Sequence, residues 1–244
     1  MRVLLGGASG AVGKTIIGLI EDSDGLELSE TADRSSFFSD QANGDVVIDF
    51  SHPDLTLRCL EFARSRQLPI VIGTTGLTEA CEEKVAEASK HVPVCVAANF
   101  SIGVTVMMEL AARAAAALPE SFDIEISESH HRRKQDAPSG TALALGDQVA
   151  TARNQILRDS AILDRSKRRA ARSDGEIGFQ VSRGGDVVGE HVLRFLGNGE
   201  SLEISHRATD RSIFARGALL AAERLTQRPP GRVELCDLFI EQGC

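Results

Sequence analysis

A short basic segment in the middle of the chain carries the side chains best suited to chemistry. Residues His130, His131, Arg132, Arg133 and Lys134 follow one another without a break. Side chains of these types bind anions, and a lysine or histidine in such a cluster can donate a proton to a reacting group. The segment therefore predicts an anion-binding site with His130 and Lys134 as candidate proton donors, and the sequence does not rank these two.

A helix is predicted to begin directly after the basic segment. Pro138 ends any preceding helix, Ser139 is a favourable N-cap, and the amides of Gly140 and Thr141 would be free donors in the first turn. Cations beside a helix N-terminus suit carboxylates, such as two on one small molecule. The alternative is a solvated run of charge. No metal is expected, because no histidine or acid spacing completes a ligand set.

A glycine loop near the N-terminus predicts a dinucleotide site. Gly7, Gly10 and Gly13 follow the first apolar run at three-residue intervals and open a helical pattern. Such a loop turns sharply, approaches a pyrophosphate and places it at the helix N-terminus. Asp33, about twenty residues on, could accept the ribose hydroxyls, and Arg34 could meet a 2′-phosphate.

The same loop admits two other interpretations. Ala8 and Gly13-Lys14-Thr15 fit a relaxed P-loop, with Asp49 as the Mg²⁺-binding acid, which would make the chain an ATP-dependent phosphotransferase. A non-catalytic sensor of nicotinamide nucleotides is the third hypothesis. Short-chain dehydrogenases are excluded, because they need a tyrosine and the chain has none.

Composition restricts the partners and the compartment. With 27 Lys and Arg against 35 Asp and Glu, the 244-residue chain has a formal net charge of −8, which argues against nucleic acid and anionic membranes as partners. No apolar run approaches the length of a membrane span. Five scattered cysteines without a C-x-x-C pair indicate reduced thiols in a cytoplasmic protein, namely Cys59, Cys81, Cys95, Cys236 and Cys244.

The order of elements predicts an α/β fold with two domains. Apolar strands at 2–5, 26–32, 45–50, 69–72 and 93–97 alternate with helical stretches, which indicates a Rossmann-like, doubly wound parallel sheet. We assign residues 1–100 and 212–244 to a dinucleotide-binding domain, and 101–211 to an inserted α+β mixed-sheet domain for substrate binding and oligomerisation. In the inserted domain we expect a three-strand meander over 177–207 and a mobile loop at 158–174.

Several blocks resemble one known family. The segment from His130 to Ala142, reading HHRRKQDAPSGTA, is similar to the signature of the dihydrodipicolinate reductases, the 4-hydroxy-tetrahydrodipicolinate reductases of lysine and diaminopimelate synthesis. The blocks VIDFS, VIGTTG, AANFSIG and GDVVGEH occur in the order that the family has. The resemblance covers nearly the whole chain, and its histidine–lysine block is far more specific than its glycine loop.

The resemblance implies a role for each matching residue. His130 and Lys134 would be the proton donors, and the substrate carboxylates would be bound by His131, Ser139, Gly140 and Thr141. The cofactor, NADPH or NADH, would be held by Gly7, Ala8, Ser9, Gly10, Ala11, Val12, Asp33, Arg34, Gly73, Thr74, Thr75, Ala97, Ala98, Asn99 and Phe100. A small dicarboxylate substrate and a homotetramer joined through the sheet of the inserted domain are also implied. Ala11 stands where many members have Arg or Lys, so the choice between the two cofactors stays open.

Overall fold

The computed structural model describes residues 1–167 and 169–240, so Cys244 and the end of the last predicted domain segment lie outside it. The elements follow in chain order as β1 (Arg2–Gly6), α1 (Ala11–Glu21), β2 (Glu27–Ala32), β3 (Val46–Asp49), α2 (Pro53–Arg66), β4 (Ile70–Ile72), α3 (Glu79–Ser89), β5 (Pro93–Val96), α4 (Ile102–Ala117), β6 (Asp123–His130), α5 (Gly140–Ala152), α6 (Leu157–Ser160), β7 (Ala161–Ile162), β8 (Ile177–Arg183), β9 (Gly189–Leu196), β10 (Ser201–Ala208), α7 (Ser212–Leu225), β11 (Gly231–Arg232) and α8 (Leu235–Phe239).

The chain folds as two compact units. Unit 1 comprises Met1–Ile102 and the described residues from Arg211 onward, and unit 2 comprises Gly103–Asp210. In the described part of the chain, none of the helices combines the length and the apolar character that crossing a membrane would need.

Unit 1 contains a six-stranded sheet in which every pair of neighbouring strands is parallel, in the order β11-β5-β4-β3-β1-β2. Its inner strands β1, β3, β4 and β5 are largely apolar and buried because helices cover both faces, whereas the edge strands β2 and β11 are more polar. Ile16 of α1 and Leu219 of α7 belong to the core on one face, whereas Leu60 of α2 and Val85 of α3 belong to the core on the other. The predicted doubly wound, Rossmann-like fold is confirmed.

The strand order places a topological switch point between β1 and β3. The chain runs from β1 outward to β2 in one direction, and from β3 through β4 to β5 in the other. The loops that follow β1 and β3 therefore diverge at the carboxyl edge of the sheet and leave a crevice, which is where open α/β sheets bind ligands.

Unit 2 contains a mixed five-stranded sheet in the order β10-β9-β6-β8-β7. The long central strand β6 runs parallel to β8 and antiparallel to β9. Its alternating residues Ile124 and Ile126 are buried against Met107 of α4 and Leu145 of α5. The predicted α+β mixed sheet is confirmed.

The predicted meander over 177–207 is wrong in one connection. Strands β9 and β10 form the expected antiparallel hairpin, but β8 and β9 are not neighbours, because β6 lies between them. The loop between β8 and β9 passes over the end of β6, where the Gly184 amide donates to the His130 carbonyl at 2.9 Å. Alternating hydrophobicity shows which face a strand buries but not which strand it pairs with, and the glycines suggested a tight turn.

The loop expected at 158–174 contains regular structure in its described part. The segment forms most of α6, then β7 at the sheet edge and a 3₁₀ turn at Arg165–Lys167. Arg165 bonds Glu176 at 3.0 Å, and Arg172 pairs with Asp123 at 2.9 Å and with Glu125. The sequence did not indicate these short elements, because they are too short to show periodicity and are held by ion pairs to residues outside them.

Candidate functional site

The glycine loop of unit 1 lies at the switch point of the sheet. Gly7 has a φ of +83°, and a Cβ there would lie 2.2 Å from the Phe50 carbonyl oxygen. A Cβ on Gly13 would lie 2.2 Å from the Gly7 carbonyl oxygen. Only glycine permits this backbone and these approaches. No side chain caps the N-terminus of α1, whose N-cap is Gly10, so its first amides can receive an anion.

The predicted ribose acid is joined to the glycine loop. Asp33 follows β2 directly, and its Oδ1 accepts hydrogen bonds from the Ser9 hydroxyl at 2.9 Å and from the Ser9 amide at 3.4 Å. Arg34 is exposed in the turn that the Asp33 amide closes on the Ser36 carbonyl. An acid beside the loop and an exposed guanidinium next to it match the requirements of ribose and phosphate recognition.

The other predicted cofactor residues follow β4 and β5 at the same edge of the sheet. The carboxyl ends of parallel strands share one edge, so the strand register gathers the whole predicted set there. Thr75 and Ala98 are exposed, whereas Gly73, Ala97 and Asn99 are half-buried.

Two of these residues have buried side chains. Thr74 is 6% exposed, and its hydroxyl donates to Asp49 at 2.9 Å and accepts from the Ser51 amide at 2.8 Å. Phe100 is 1% exposed and its ring lies in the core, 5.4 Å from the ring of Phe50. In this structure both side chains therefore contact residues at the end of β3 or directly after it, namely Asp49, Phe50 and Ser51.

Asp49 is part of an internal hydroxyl network and not a metal-binding acid at the surface. It is fully buried, and its carboxylate accepts hydrogen bonds from the hydroxyls of Ser51, of Thr56 at 2.5 Å, and of Thr74. Burial raises the pKa of Asp49, and these hydrogen bonds oppose the rise. The Thr15 hydroxyl bonds the Ala11 carbonyl of its own helix at 3.0 Å. Thr15 and Asp49, the two residues that would bind Mg²⁺ in a P-loop, therefore make hydrogen bonds within the protein instead.

The basic segment of unit 2 is organised around a carboxylate that sequence reasoning missed. Glu128 of β6 is 3% exposed and accepts a bidentate pair of hydrogen bonds from Arg183 of β8 at 2.7 and 2.8 Å. It also lies 2.6 Å from His130 Nδ1 and accepts from the Ser139 amide at 3.0 Å. Burial raises its pKa, but the bonds from Arg183, His130 and Ser139 outweigh burial and hold the pKa below its ordinary value.

A buried histidine lies on the other side of the same site. His191 of β9 is 3% exposed, and its Nε2 lies 3.1 Å from the Ser139 hydroxyl. Its ring meets the ring of His130 edge-on, with 5.2 Å between the centroids. Desolvation, assisted by the charge of His130, lowers the pKa of His191 to about 4. The imidazole is therefore neutral at pH 7.

The helix start predicted after the basic segment is confirmed, but Ser139 is buried. Its hydroxyl caps α5 by accepting from the Ala142 amide at 3.2 Å, and the residue is 2% exposed. Gly140 is exposed and Thr141 half-buried in the first turn, which contains no acidic residue. These two residues therefore form the first turn beyond the buried cap, and a hydrogen bond from the Gly140 amide helps to lower the pKa of Asp136.

Lys134 has a carboxylate neighbour that the sequence had not indicated. Its Nζ lies 2.9 Å from Asp136 Oδ1, and its side chain is 23% exposed. The pKa of Asp136 is lowered chiefly by its bond with Lys134. Because Asp136 is itself exposed, the pair can open to admit an anion at low cost. Arg132 and Arg133 are exposed, and His131 is half-buried.

The missed residues left a partial signal in the sequence. In β6 the residues Ile124, Ile126, Glu128 and His130 occupy alternate positions and so share one face of the sheet. An acid on an otherwise apolar face needs a buried partner, and that rule alone could have singled out Glu128. Its partner Arg183 could not have been identified, because the pairing of β8 with β6 is a tertiary fact.

These features together fit one class of enzyme: a two-unit reductase with a dinucleotide-binding sheet and a separate unit that carries a cationic cluster. Sequence models of the family described as "Dihydrodipicolinate reductase, N-terminus" and "Dihydrodipicolinate reductase, C-terminus" match residues 1–100 and 103–239. The chain belongs to this family, and it is an NAD(P)H-dependent oxidoreductase.

Individual relatives agree with this assignment. A 4-hydroxy-tetrahydrodipicolinate reductase of Pseudoalteromonas translucida is 45% identical over 216 residues, covering 87% of this chain and 81% of the relative. One from Thiobacillus denitrificans is 40% identical over 262 residues and covers 98% of each chain. A dipicolinate-bound dihydrodipicolinate reductase from Paenisporosarcina shares the fold, with a TM-score of 0.76, 24% identity, and coverage of 96% of this chain and 97% of that one. The phosphotransferase and sensor alternatives find no support among them.

The residues of unit 1 fit the cofactor that the family uses. A side chain at Gly7 or Gly13 would fill the cradle formed by the loop, and the first amides of α1 have no side-chain cap. Asp33, hydrogen-bonded to Ser9 of the loop, is an acceptor of the kind that binds ribose hydroxyls. A nicotinamide dinucleotide bound there would be held by this loop, by Asp33 and by the residues that follow β4 and β5.

Proposed function

We propose that this chain reduces 4-hydroxy-tetrahydrodipicolinate to tetrahydrodipicolinate in lysine and diaminopimelate synthesis. The observation that carries the proposal is the cationic segment at residues 130–134 beside the α5 N-terminus, in a chain whose other unit has an intact dinucleotide loop. A cluster of cations at a helix N-terminus suits the two carboxylates of such a substrate. The reaction consumes one hydride and one proton, and the 4-hydroxyl group leaves as water.

The substrate would be bound by cations and amides of unit 2. We assign its carboxylates to His131, Lys134 and the first-turn amides at Gly140 and Thr141. Ser139 would act through its hydroxyl cap, which keeps that turn in place. Opening of the Lys134–Asp136 pair would free the ammonium group for a carboxylate or for proton transfer.

The proton would come from Lys134 or His130. The bound cofactor supplies the hydride that substrate C4 takes up. A positioned cation with a proton stabilises the charge that develops and protonates the leaving hydroxyl group. The backbone at 7–12 and at 73–75, with Asp33, Arg34 and residues 97–100, would hold the cofactor in the required orientation.

We also propose a homotetramer in the cytoplasm. Within unit 2, α4 and α5 pack on one face of the sheet only, and the opposite face carries Ser127, Val192 and Ser205 at paired positions. An uncovered sheet face of this kind is suited to pairing with a second copy. The four cysteines in the described part are free thiols, which fits a reducing compartment.

The decisive experiment follows the nicotinamide absorbance with enzymatically generated substrate, using NADH and NADPH in parallel. We expect substrate-dependent oxidation of at least one cofactor and protection of the protein against thermal unfolding by that cofactor. Stabilisation by ATP and Mg²⁺ without any by NADH or NADPH would overturn the proposal. Cofactor binding without turnover would favour the sensor instead.

A further inference from the structure

The buried carboxylate of Glu128 contacts three residues, Arg183, Ser139 and His130, and in each contact the donor and the acceptor can be assigned. Oε1 accepts from the Ser139 amide and from one Arg183 nitrogen, and Oε2 accepts from the other Arg183 nitrogen and contacts His130 Nδ1. The bonds from Arg183 and Ser139 keep this carboxylate ionised, and an ionised carboxylate can only accept hydrogen bonds. His130 Nδ1 must therefore carry the hydrogen of the shared bond.

The second ring nitrogen of His130, Nε2, is not used by Glu128. Among the described residues no hydrogen bond is made by His130 Nε2, which faces Gly189 so closely that a Cβ there would lie 3.0 Å away. The side chain of His130 is 11% exposed, so the ring cannot turn freely. Glu128 thus determines both the direction and the tautomer of the ring.

We propose that Glu128, oriented by Arg183, is a positioning residue that fixes Nε2 as the proton-exchanging atom of His130 and locks the N-terminus of α5 beside it. One carboxylate then sets the position of a proton donor and of an anion-binding helix end. The functional part of this inference rests on the proposed reaction, whereas the tautomer of His130 does not.

The substitution Glu128→Gln tests the proposal with almost no change of shape. The Ser139 amide and one Arg183 nitrogen both donate to Oε1, so the oxygen of the glutamine is expected there and its NH₂ group at the position of Oε2. The NH₂ group faces His130 Nδ1 and must donate to it, and the bond that Oε2 accepted from the other Arg183 nitrogen is lost. We expect neutral His130 to switch from the Nδ1–H to the Nε2–H tautomer, as read from long-range ¹H–¹⁵N spectra of protein with ¹⁵N-labelled histidine. We also expect kcat to fall about 10²-fold, the lower range of a positioned proton donor, with NADH affinity unchanged.

A matched control separates positioning from the loss of a charge on the same strand. Glu125 is also on β6 and ion-paired with an arginine, Arg172, but it faces the other side of the sheet. Glu125→Gln should leave the His130 tautomer and kcat unchanged. An equal loss of kcat in both variants, or an unchanged tautomer in Glu128→Gln, would overturn the proposal.

The experiment remains decisive if Glu128→Gln does not fold or if the substrate differs from the one proposed. A neutral His130 in the Nε2–H form in the wild-type protein would by itself overturn the inference. The spectra need no turnover, so failure of the proposed reaction in the absorbance assay is distinguishable from failure of the tautomer assignment. His130→Gln identifies the signals of His130.

Discussion

Two titratable side chains in unit 2 have different effects that single substitutions can separate. Lys134 is partly exposed and paired with Asp136, whereas His191 is buried and neutral and bonds the cap of α5. The first is a candidate for chemistry. The second shapes the site and makes the stability of the protein depend on pH.

Lys134→Ala removes a proposed proton donor and carboxylate ligand. We expect kcat to fall by about two to four orders of magnitude, the usual contribution of general-acid catalysis, while NADH affinity is retained because the predicted cofactor residues belong to unit 1. Steady-state kinetics and cofactor titration measure the two effects.

Lys90→Ala is the control for Lys134→Ala. It also breaks an exposed lysine–carboxylate pair, with Glu87 at 2.8 Å, but it lies before β5, whereas the nearest predicted cofactor residues follow the other end of that strand. It should leave kcat unchanged. Full turnover by the Lys134 variant would remove this lysine from the mechanism.

His191 makes the folded protein sensitive to acid. Its pKa is about 4 when folded, against an ordinary value of 6.5, because burial opposes the cation and His130 repels it. As pH falls from about 6.5 to about 4, only the unfolded chain takes up this proton, so about 3 kcal/mol of stability is lost over that range and none is lost below it.

The variant His191→Asn tests this dependence. We expect its denaturation midpoint to change less between pH 7 and pH 4.5 than that of the wild type, since the titrating group is gone. His91→Asn removes an exposed histidine and should behave like the wild type. If His191→Asn keeps the full acid sensitivity, the neutral buried state of His191 is wrong.

At the scale of elements, helix α1 contains two glycines, of which one has no room for a side chain and the other has ample room. A Cβ at Gly13 would lie 2.2 Å from the Gly7 carbonyl oxygen and 2.9 Å from Ala8 Cα, whereas one at Gly18 would meet nothing within 4 Å. The first glycine allows the helix to approach the loop. The second only adds conformational freedom to the unfolded chain.

The pair Gly13→Ala and Gly18→Ala therefore makes a matched comparison within one helix. We expect Gly18→Ala to stabilise the protein by about 0.5–1 kcal/mol, and Gly13→Ala to destabilise it by about 1–3 kcal/mol. Gly13→Ala should also weaken NADH binding, because the loop backbone must move. Denaturant titration and cofactor titration give the two quantities, and equal results for both variants would contradict the packing role of Gly13.

At the scale of the whole molecule, the open face of the unit 2 sheet should determine the assembly. Val192 of β9 is paired with Ser127 on one side and Ser205 on the other, so a charge there lies in the middle of that face. If the proposed tetramer forms through this face, we expect Val192→Asp to lower the mass in sedimentation equilibrium to that of a smaller assembly, because an unpaired carboxylate is costly to bury.

Ser121→Asp adds the same charge at an exposed position outside the strands of the sheet and should leave the assembly intact. A Val192→Asp protein with the wild-type mass would show that this face does not form the proposed contact.

The sequence predicted much of unit 1 because its signals are local. Apolar strands, the glycine spacing and the acid after β2 each depend on a few neighbouring residues, and parallel strands bring their carboxyl ends to one edge by rule. The cap at Ser139 was equally local, and the structure confirms it. The resemblance to a known family rested on the same short blocks.

The tertiary structure alone decided the environment of the proposed proton donors. The pairing of β6 with β8 brings Arg183 to Glu128 across 55 positions, and the position of β9 brings His191 to Ser139 across 52. Periodicity cannot encode such partners, since a strand's alternation specifies its buried face but leaves its neighbour to the packing of the whole sheet. The sequence by itself determined which residues could do the chemistry, and the fold determined how they are oriented and protonated.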